Sequence, residues 1–185
     1  MIPAPSVFKR LFGGARGGAT VDARSSPSWG EAAAAQPSEV DRARGLYLAL
    51  MEKCLVNSIY EDPPMSLWTG KTYDPAHRTA GVDWPSVAHS MIGTKRMFNL
   101  RCLCEYAVTN RIPGDFIETG VWRGGASIMM RAVLKAYQVT NRTVWLADSF
   151  AGLPPPDVEK FPADAGDNLH QASELAVSLA TVKHE

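Results

Sequence analysis

Apolar positions along the chain are patterned only after a long opening stretch. Residues 1–37 show no sustained hydrophobic period, and Ala, Gly, Ser and Pro make up more than half of them. Gly13-Gly14, Gly17-Gly18 and Ala32 to Ala35 punctuate the stretch. Such a segment buries too little apolar surface to offset its ordering entropy, so it reads as a disordered low-complexity tail. Lys9, Arg10, Arg16 and Arg24, with few acids, leave a transit peptide as the other reading. No apolar run there is long enough for a secretory signal.

Residues 38–112 read as a helical and lid region. Ser38 and Asp41 approximate a capping box, with Asp in place of Glu. Ala43, Leu46, Tyr47, Leu50 and Cys54 then recur at helical spacing, which predicts an amphipathic helix over 39–58 with that face inward. Gly45 weakens it by about 1 kcal/mol relative to Ala. Residues 61–85 read as a loop, punctuated by Pro63-Pro64, Gly70, Pro75, Gly81 and Trp84-Pro85. Its two tryptophans, Trp68 and Trp84, either form a lid over a ligand or anchor the loop to the core. A second helix is predicted from Ser86 to Val108, with Met97, Leu100, Cys104, Ala107 and Val108 on its apolar face and Gly93 as a possible early break. Cys102 and Cys104 are two apart, hence about 200° apart on a helix, and read as small buried or half-buried residues rather than joint metal ligands.

Residues 113–185 carry the informative pattern. After the Pro113-Gly114 turn, Asp115 to Glu118 is a short strand that runs into Thr119-Gly120-Val121-Trp122-Arg123-Gly124-Gly125. A helix follows from Ala126 to Tyr137, with Ile128, Met129, Ala132, Val133 and Ala136 apolar. Thr143 to Ala147 is a second strand, and it ends at Asp148-Ser149. Strand, glycine loop, helix, strand and acid make a βαβ unit of the nucleotide-binding kind. Gly120 permits a tight turn, and Gly124 and Gly125 let backbone approach a ligand without a Cβ clash. Asp148, 24 residues after Gly124 (148 minus 124), is placed to bond a ribose diol.

The loop reads E-x-G-x-x-x-G, not G-x-G-x-x-G. That departs from the dinucleotide fingerprint, in which a pyrophosphate sits on the helix N-terminus, and it disfavours a nicotinamide-dependent dehydrogenase. A phosphate-free, cationic ligand such as S-adenosylmethionine instead favours a nearby carboxylate, and Glu118 stands just before the loop. The bland alternative is a βαβ unit without a ligand, with Glu118 as a solvated strand end and Asp148 as a helix cap.

Composition excludes several classes. Lys+Arg and Asp+Glu balance at 19 each, so the chain has no general attraction for nucleic acid or anionic lipid. No run of 18 apolar residues exists. Three cysteines, an odd count, fit a reducing, cytoplasmic setting better than a disulfide framework.

Three runs of residues resemble the macrocin/mycinamicin-type sugar O-methyltransferases. They are Gly81 to Gly93 (GVDWPSVAHSMIG), Asp115 to Ser127 (DFIETGVWRGGAS) and Ala147 to Pro156 (ADSFAGLPPP). The similarity continues through Pro162 to Asp167 and Ser173 to Ser178, and covers about residues 43–183. It implies an α/β chain with a partial, Rossmann-like class I S-adenosylmethionine-dependent methyltransferase fold and an N-terminal helical region. It also implies S-adenosylmethionine as methyl donor, a divalent cation, usually magnesium, and a sugar hydroxyl of a macrolide-like, glycosylated natural product as acceptor. By matching position, Glu118, Thr119, Gly120, Val121, Gly124, Gly125 and Ser127 would line the donor site. Asp148 would hold the ribose with Ser149 close by, and Ser90 and Met91 would meet the donor from the preceding helix. Neither nucleic acid nor membrane is expected as a partner; a homo-oligomer is compatible with the resemblance.

The resemblance also sets an expectation about extent. Only 37 residues follow Asp148 (185 minus 148), room for at most one further βαβ unit of ~30 residues. Glu174 to Lys183 reads as a helix with Leu175, Ala176, Leu179 and Val182 on one face. The family's magnesium ligands, aspartates at later strand ends, are therefore expected to be missing, and residues 113–185 to be the first half of the donor domain in a truncated chain. Asp164 and Asp167 read as solvated turn residues, His170 as a surface residue, and His89 as a packing or donor-pocket residue; no catalytic base is assigned. The alternative to an active enzyme is a non-catalytic, donor-binding or structural remnant.

Overall fold

The computed structural model describes residues 36–65 and 70–184. The expectations for the tail through Ala35 and for Trp68 lie outside the described residues. In chain order the elements are α1 (Glu39–Leu55), α2 (Pro75–Ala80), α3 (Gly93–Thr109), β1 (Phe116–Thr119), α4 (Gly125–Ala136), β2 (Val144–Ala147) and α5 (Leu179–His184).

Helix α1 starts where the sequence places it. The Ser38 hydroxyl accepts the Asp41 N–H at 3.1 Å, and Glu39 and Asp41 put negative charge in the first turn, where the helix dipole favours it. Its buried face differs from the expected one. Leu48, Met51, Glu52 and Leu55 turn inward, while Leu46, Leu50 and Cys54 are exposed. Apolar residues occupy two overlapping stripes on this helix, and contact with α3 and α4 selects one of them. Burial of Glu52 at that interface is matched by Arg101 of α3, 3.3 Å away.

The 61–85 stretch is not a plain loop, because it contains α2. Asp74 caps this helix by accepting the Ala76 and His77 N–H groups, Pro75 occupies its first turn, and Gly81 ends it in the left-handed conformation. Helix α3 begins at Gly93 rather than at Ser86, and residues 86–92 form an irregular segment. The expected inward face of α3 is otherwise correct: Met97 and Cys104 are buried, with Leu100, Ala107 and Val108 half-buried. Cys102 is exposed, contrary to expectation, since it sits across the helix from Cys104.

The βαβ unit forms as read. β1 and β2 are parallel neighbours, with Glu118 opposite Leu146 and Thr119 opposite Ala147. Asp115 pins the strand starts together, its carboxylate accepting the Thr143 N–H and the Trp145 indole N–H. Helix α4 is the centre of the packing and touches α1, α3, β1 and β2. Met129, Met130, Val133 and Leu134 are fully or nearly fully buried on it; each such side chain contributes about 1.5–3 kcal/mol of hydrophobic stabilisation. The opposite face of the sheet, with Ile117 and Trp145, is exposed, and Leu146, on the same face as Glu118, is exposed as well. After β2 the chain runs without regular structure, apart from short 3-10 turns, to α5. The helix expected over 174–183 is interrupted: a 3-10 turn at Ser173–Leu175 is separated from α5 by Ala176 to Ser178.

Candidate functional site

The site is built where β1 and β2 end side by side. β1 delivers Glu118 to the loop 119–124, and β2 delivers Asp148 beside it. Gly120 and Gly124 have φ of 82° and 83°, the left-handed region that favours glycine. The backbone at Gly120 is open, and an added Cβ would meet nothing within 4 Å. Gly125 is confined for a different reason than a ligand's approach. A Cβ there would come within 2.5 Å of the His89 carbonyl oxygen and 2.6 Å of the Ser90 Cβ. Segment 89–90 occupies that space, and the Gly125 N–H donates to the His89 carbonyl at 3.0 Å.

Glu118 is anchored by the first turn of α4. One carboxylate oxygen, Oε2, accepts both the Ser127 N–H at 2.9 Å and the Ser127 hydroxyl at 2.5 Å. Burial pushes the Glu118 pKa up; the two Ser127 bonds oppose that rise, and the charge of Asp148 adds to it. Asp148 is shifted the other way. Its carboxylate accepts the Phe150 N–H at 2.7 Å and the Val121 N–H at 2.6 Å, and these bonds hold its pKa below the usual carboxylate value. Neither acid has an ion-pair partner among the described residues. The loop is thus flanked by two carboxylates with spare lone pairs.

The remaining candidates are distributed around this pair. Thr119 is exposed at the strand end, and Val121 is buried beneath the loop. Ser90 is buried, and its N–H donates to the Leu55 carbonyl. Ser90 and Met91 lie in the irregular segment before α3, not in a helix, because α3 starts only at Gly93; of the two, Ser90 is packed against Gly125. Ser149 turns its hydroxyl back on its own chain, donating to the Gly152 carbonyl and accepting the Ala151 N–H. Asp164 and Asp167 are exposed, and Asp167 accepts the Leu169 N–H of its own turn. His170 is half-buried rather than on the surface. Among the described residues, no group of three or more His, Cys, Asp or Glu side chains is arranged to hold a metal ion.

Two features of the site escaped the sequence reading. Arg123 donates to the Ala88 carbonyl at 3.0 Å and lies over the Trp122 ring, and the Trp122 indole N–H donates to the Glu174 carbonyl at 2.8 Å. The loop is therefore clasped from segment 85–90 on one side and from residues 174–182 on the other, with Val182 facing Gly124. No local pattern announces such partners, which lie 35 and 52 positions away along the chain.

The family model described as Macrocin-O-methyltransferase (TylF) matches residues 44–185. The chain belongs to the macrocin O-methyltransferase family. Two curated relatives of this macrocin-type chain are each 48% identical to it. One is the 8-demethyl-8-(2,3-dimethoxy-alpha-L-rhamnosyl)-tetracenomycin-C 4'-O-methyltransferase of Streptomyces olivaceus, matched over 144 residues, 76% of this chain and 55% of the relative. The other is the mycinamicin III 3''-O-methyltransferase of Micromonospora griseorubida, matched over 143 residues, 75% and 56%. The solved structure of the O-methyltransferase NovP superposes with a TM-score of 0.71 at 46% identity, covering 76% of this chain and 57% of that one. The chain spans about half the length of the curated relatives it matches. What it contains is part of the class I methyltransferase fold: the helical region and the first βαβ unit with its loop.

Proposed function

We propose that this chain carries the S-adenosylmethionine site of an O-methyltransferase whose acceptor is a sugar hydroxyl on a macrolide-like natural product. The observation that carries this reading is the pair Glu118 and Asp148 across an open glycine loop. Two carboxylates, neither neutralised by a cation among the described residues, provide the field that a sulfonium and an ammonium group require. The acceptor class rests on the relatives, one of which is named for a rhamnosyl group and the other for mycinamicin III.

When bound, the donor supplies an electrophilic methyl group on a positively charged sulfur. The chain's own residues bind and orient it. Asp148, kept ionised by the Val121 and Phe150 N–H groups, accepts the ribose hydroxyls with its remaining lone pairs. Ser127 fixes the Glu118 carboxylate and leaves its Oε1 for the donor's cationic end. Holding the donor in one geometry supplies the orientational part of rate acceleration.

The resemblance also implies magnesium. The described residues do not fit it, since magnesium wants oxygen ligands in near-octahedral array, no three acids are grouped among them, and Asp164 and Asp167 are exposed.

Calorimetric titration of the chain with S-adenosylmethionine tests the donor site. Incubation with methyl-labelled donor, magnesium and mycinamicin III tests transfer. Binding with transfer supports the full reading. Binding without transfer identifies a donor-binding module. No donor binding, or preference for a phosphate-bearing coenzyme, overturns the reading.

A further inference from the structure

Away from the glycine loop, an arginine is buried to 1% exposure in the region that the sequence suggested was a loop. Arg78, on α2, uses its whole fork. Nε donates to Asp83 at 2.8 Å; Nη1 donates to Asp62 at 2.9 Å and to the Val56 carbonyl at 2.7 Å; Nη2 donates to the Asp62 carbonyl at 2.8 Å. Asp62 spends its other oxygen, Oδ2, on a different stretch of chain. It accepts the Val87 N–H at 2.7 Å, the Ala88 N–H at 3.3 Å and the Ser86 hydroxyl at 3.3 Å. Those residues lead directly into His89, whose carbonyl holds the Gly125 N–H, and Ser90, which packs where a Gly125 side chain would be. Burial pushes the Asp62 pKa up, but the Val87 N–H, Arg78 and Ala88 bonds outweigh it, and the carboxylate stays below its usual value.

From this chain of contacts we infer that Arg78 and Asp62 are positioning residues for the donor site: the pair fixes segment 86–90, and that segment fixes the glycine loop at the start of α4. The inference rests on the donor-site reading for its functional consequence but not for its structural one. A buried ion pair by itself is weak grounds for stability, because desolvation offsets much of its attraction. What singles this pair out is direction. Asp83 shares the same arginine yet bonds nothing in 86–90, and its Oδ1 has no hydrogen-bond partner. Among the described residues, Asp62 is the acid whose side chain bridges Arg78 to the backbone of 87–88; the same guanidinium also meets the Val56 carbonyl, next to the Leu55 carbonyl that accepts the Ser90 N–H.

The test compares two isosteric variants of the full chain. Asp62→Asn replaces Oδ2 or its twin by an NH2 group and so breaks the cradle; Asp83→Asn perturbs the same arginine without touching 86–90. Amide hydrogen exchange is followed at Val87, Ser90 and Gly125, and the affinity for S-adenosylmethionine is measured alongside. Expected is a rise of 10-fold or more in exchange at Gly125 and at least a 10-fold weaker donor affinity in Asp62→Asn, with both within about 3-fold of wild type in Asp83→Asn. If Asp62→Asn does not fold, Arg78→Lys, which keeps the charge and loses the fork, is read the same way. Equal loosening by both variants, or unchanged exchange at Gly125 in Asp62→Asn, overturns the inference. A wild-type chain that binds no donor while Gly125 exchange still responds to Asp62→Asn retires the donor-site reading and leaves the coupling standing.

Discussion

The carboxylate of Asp148, at the end of β2, accepts the N–H of Val121, in the loop after β1, at 2.6 Å. One residue thereby ties the two strand ends together and sets the curve of the glycine loop. In the proposed donor site, the acid that would meet the ribose is also the acid that holds the loop backbone.

Asp148→Asn should therefore do two things at once. Loss of an anionic acceptor for the Val121 and Phe150 N–H groups should cost about 1–2 kcal/mol, read as a lower urea midpoint. Donor affinity should fall by at least 10-fold. A variant with wild-type affinity would mean that Asp148 does not touch the donor.

The two acids of the site have opposite pH signatures. Asp148 has a depressed pKa in the folded chain, so its stabilisation is present above the unfolded carboxylate value and is lost as pH falls through the folded one. Glu118 has a raised pKa, chiefly from burial, so its contribution is full below the unfolded value and is lost as pH rises through the folded one. Ionised Glu118 is the form that attracts a cation. Donor affinity should rise with pH across the Glu118 titration, and Glu118→Gln should flatten that rise in calorimetry at a series of pH values.

Two glycines should fail for different reasons. Gly125→Ala drives a Cβ against His89 and Ser90 and should cost about 1–3 kcal/mol by overpacking. Gly120→Ala meets no atoms but forces a side chain onto φ 82°, and should cost about 1–2 kcal/mol through backbone strain. Hydrogen exchange at Ser90 separates them, because only Gly125→Ala should accelerate it.

The cysteines give a check on the packing of α3. Burial pushes the Cys104 thiol up to about 11, with Glu105 adding to the rise, whereas Cys54 and Cys102 are exposed. Titration of the native chain with a thiol reagent at neutral pH should label Cys54 and Cys102 and spare Cys104 until denaturant is added. Rapid labelling of Cys104 would contradict the core described for α1, α3 and α4.

Local signals made part of the molecule legible. The cap at Ser38, the strand at 116–119, the loop with its glycines and the acid at 148 all follow from contacts between near neighbours in sequence. Helix α2 carries its own signals, Asp74-Pro75 at one end and Gly81 at the other, but six residues among so many prolines and glycines show too little hydrophobic period to stand out from a loop. The buried face of α1 was not legible. Leu46, Leu48, Leu50, Met51 and Leu55 satisfy more than one helical stripe, and periodicity alone does not rank them.

The sequence by itself determined the βαβ unit, its glycine loop and the two acids at the strand ends, because hydrophobic period, turn chemistry and strand length are short-range properties. Tertiary structure decided which side of α1 is buried, that Gly125 yields to His89 and Ser90, and that Arg78 and Asp62 reach the loop through residues 86–90. Those outcomes depend on which distant segments share one interior, and burial of an arginine fork is favourable only once every partner has arrived.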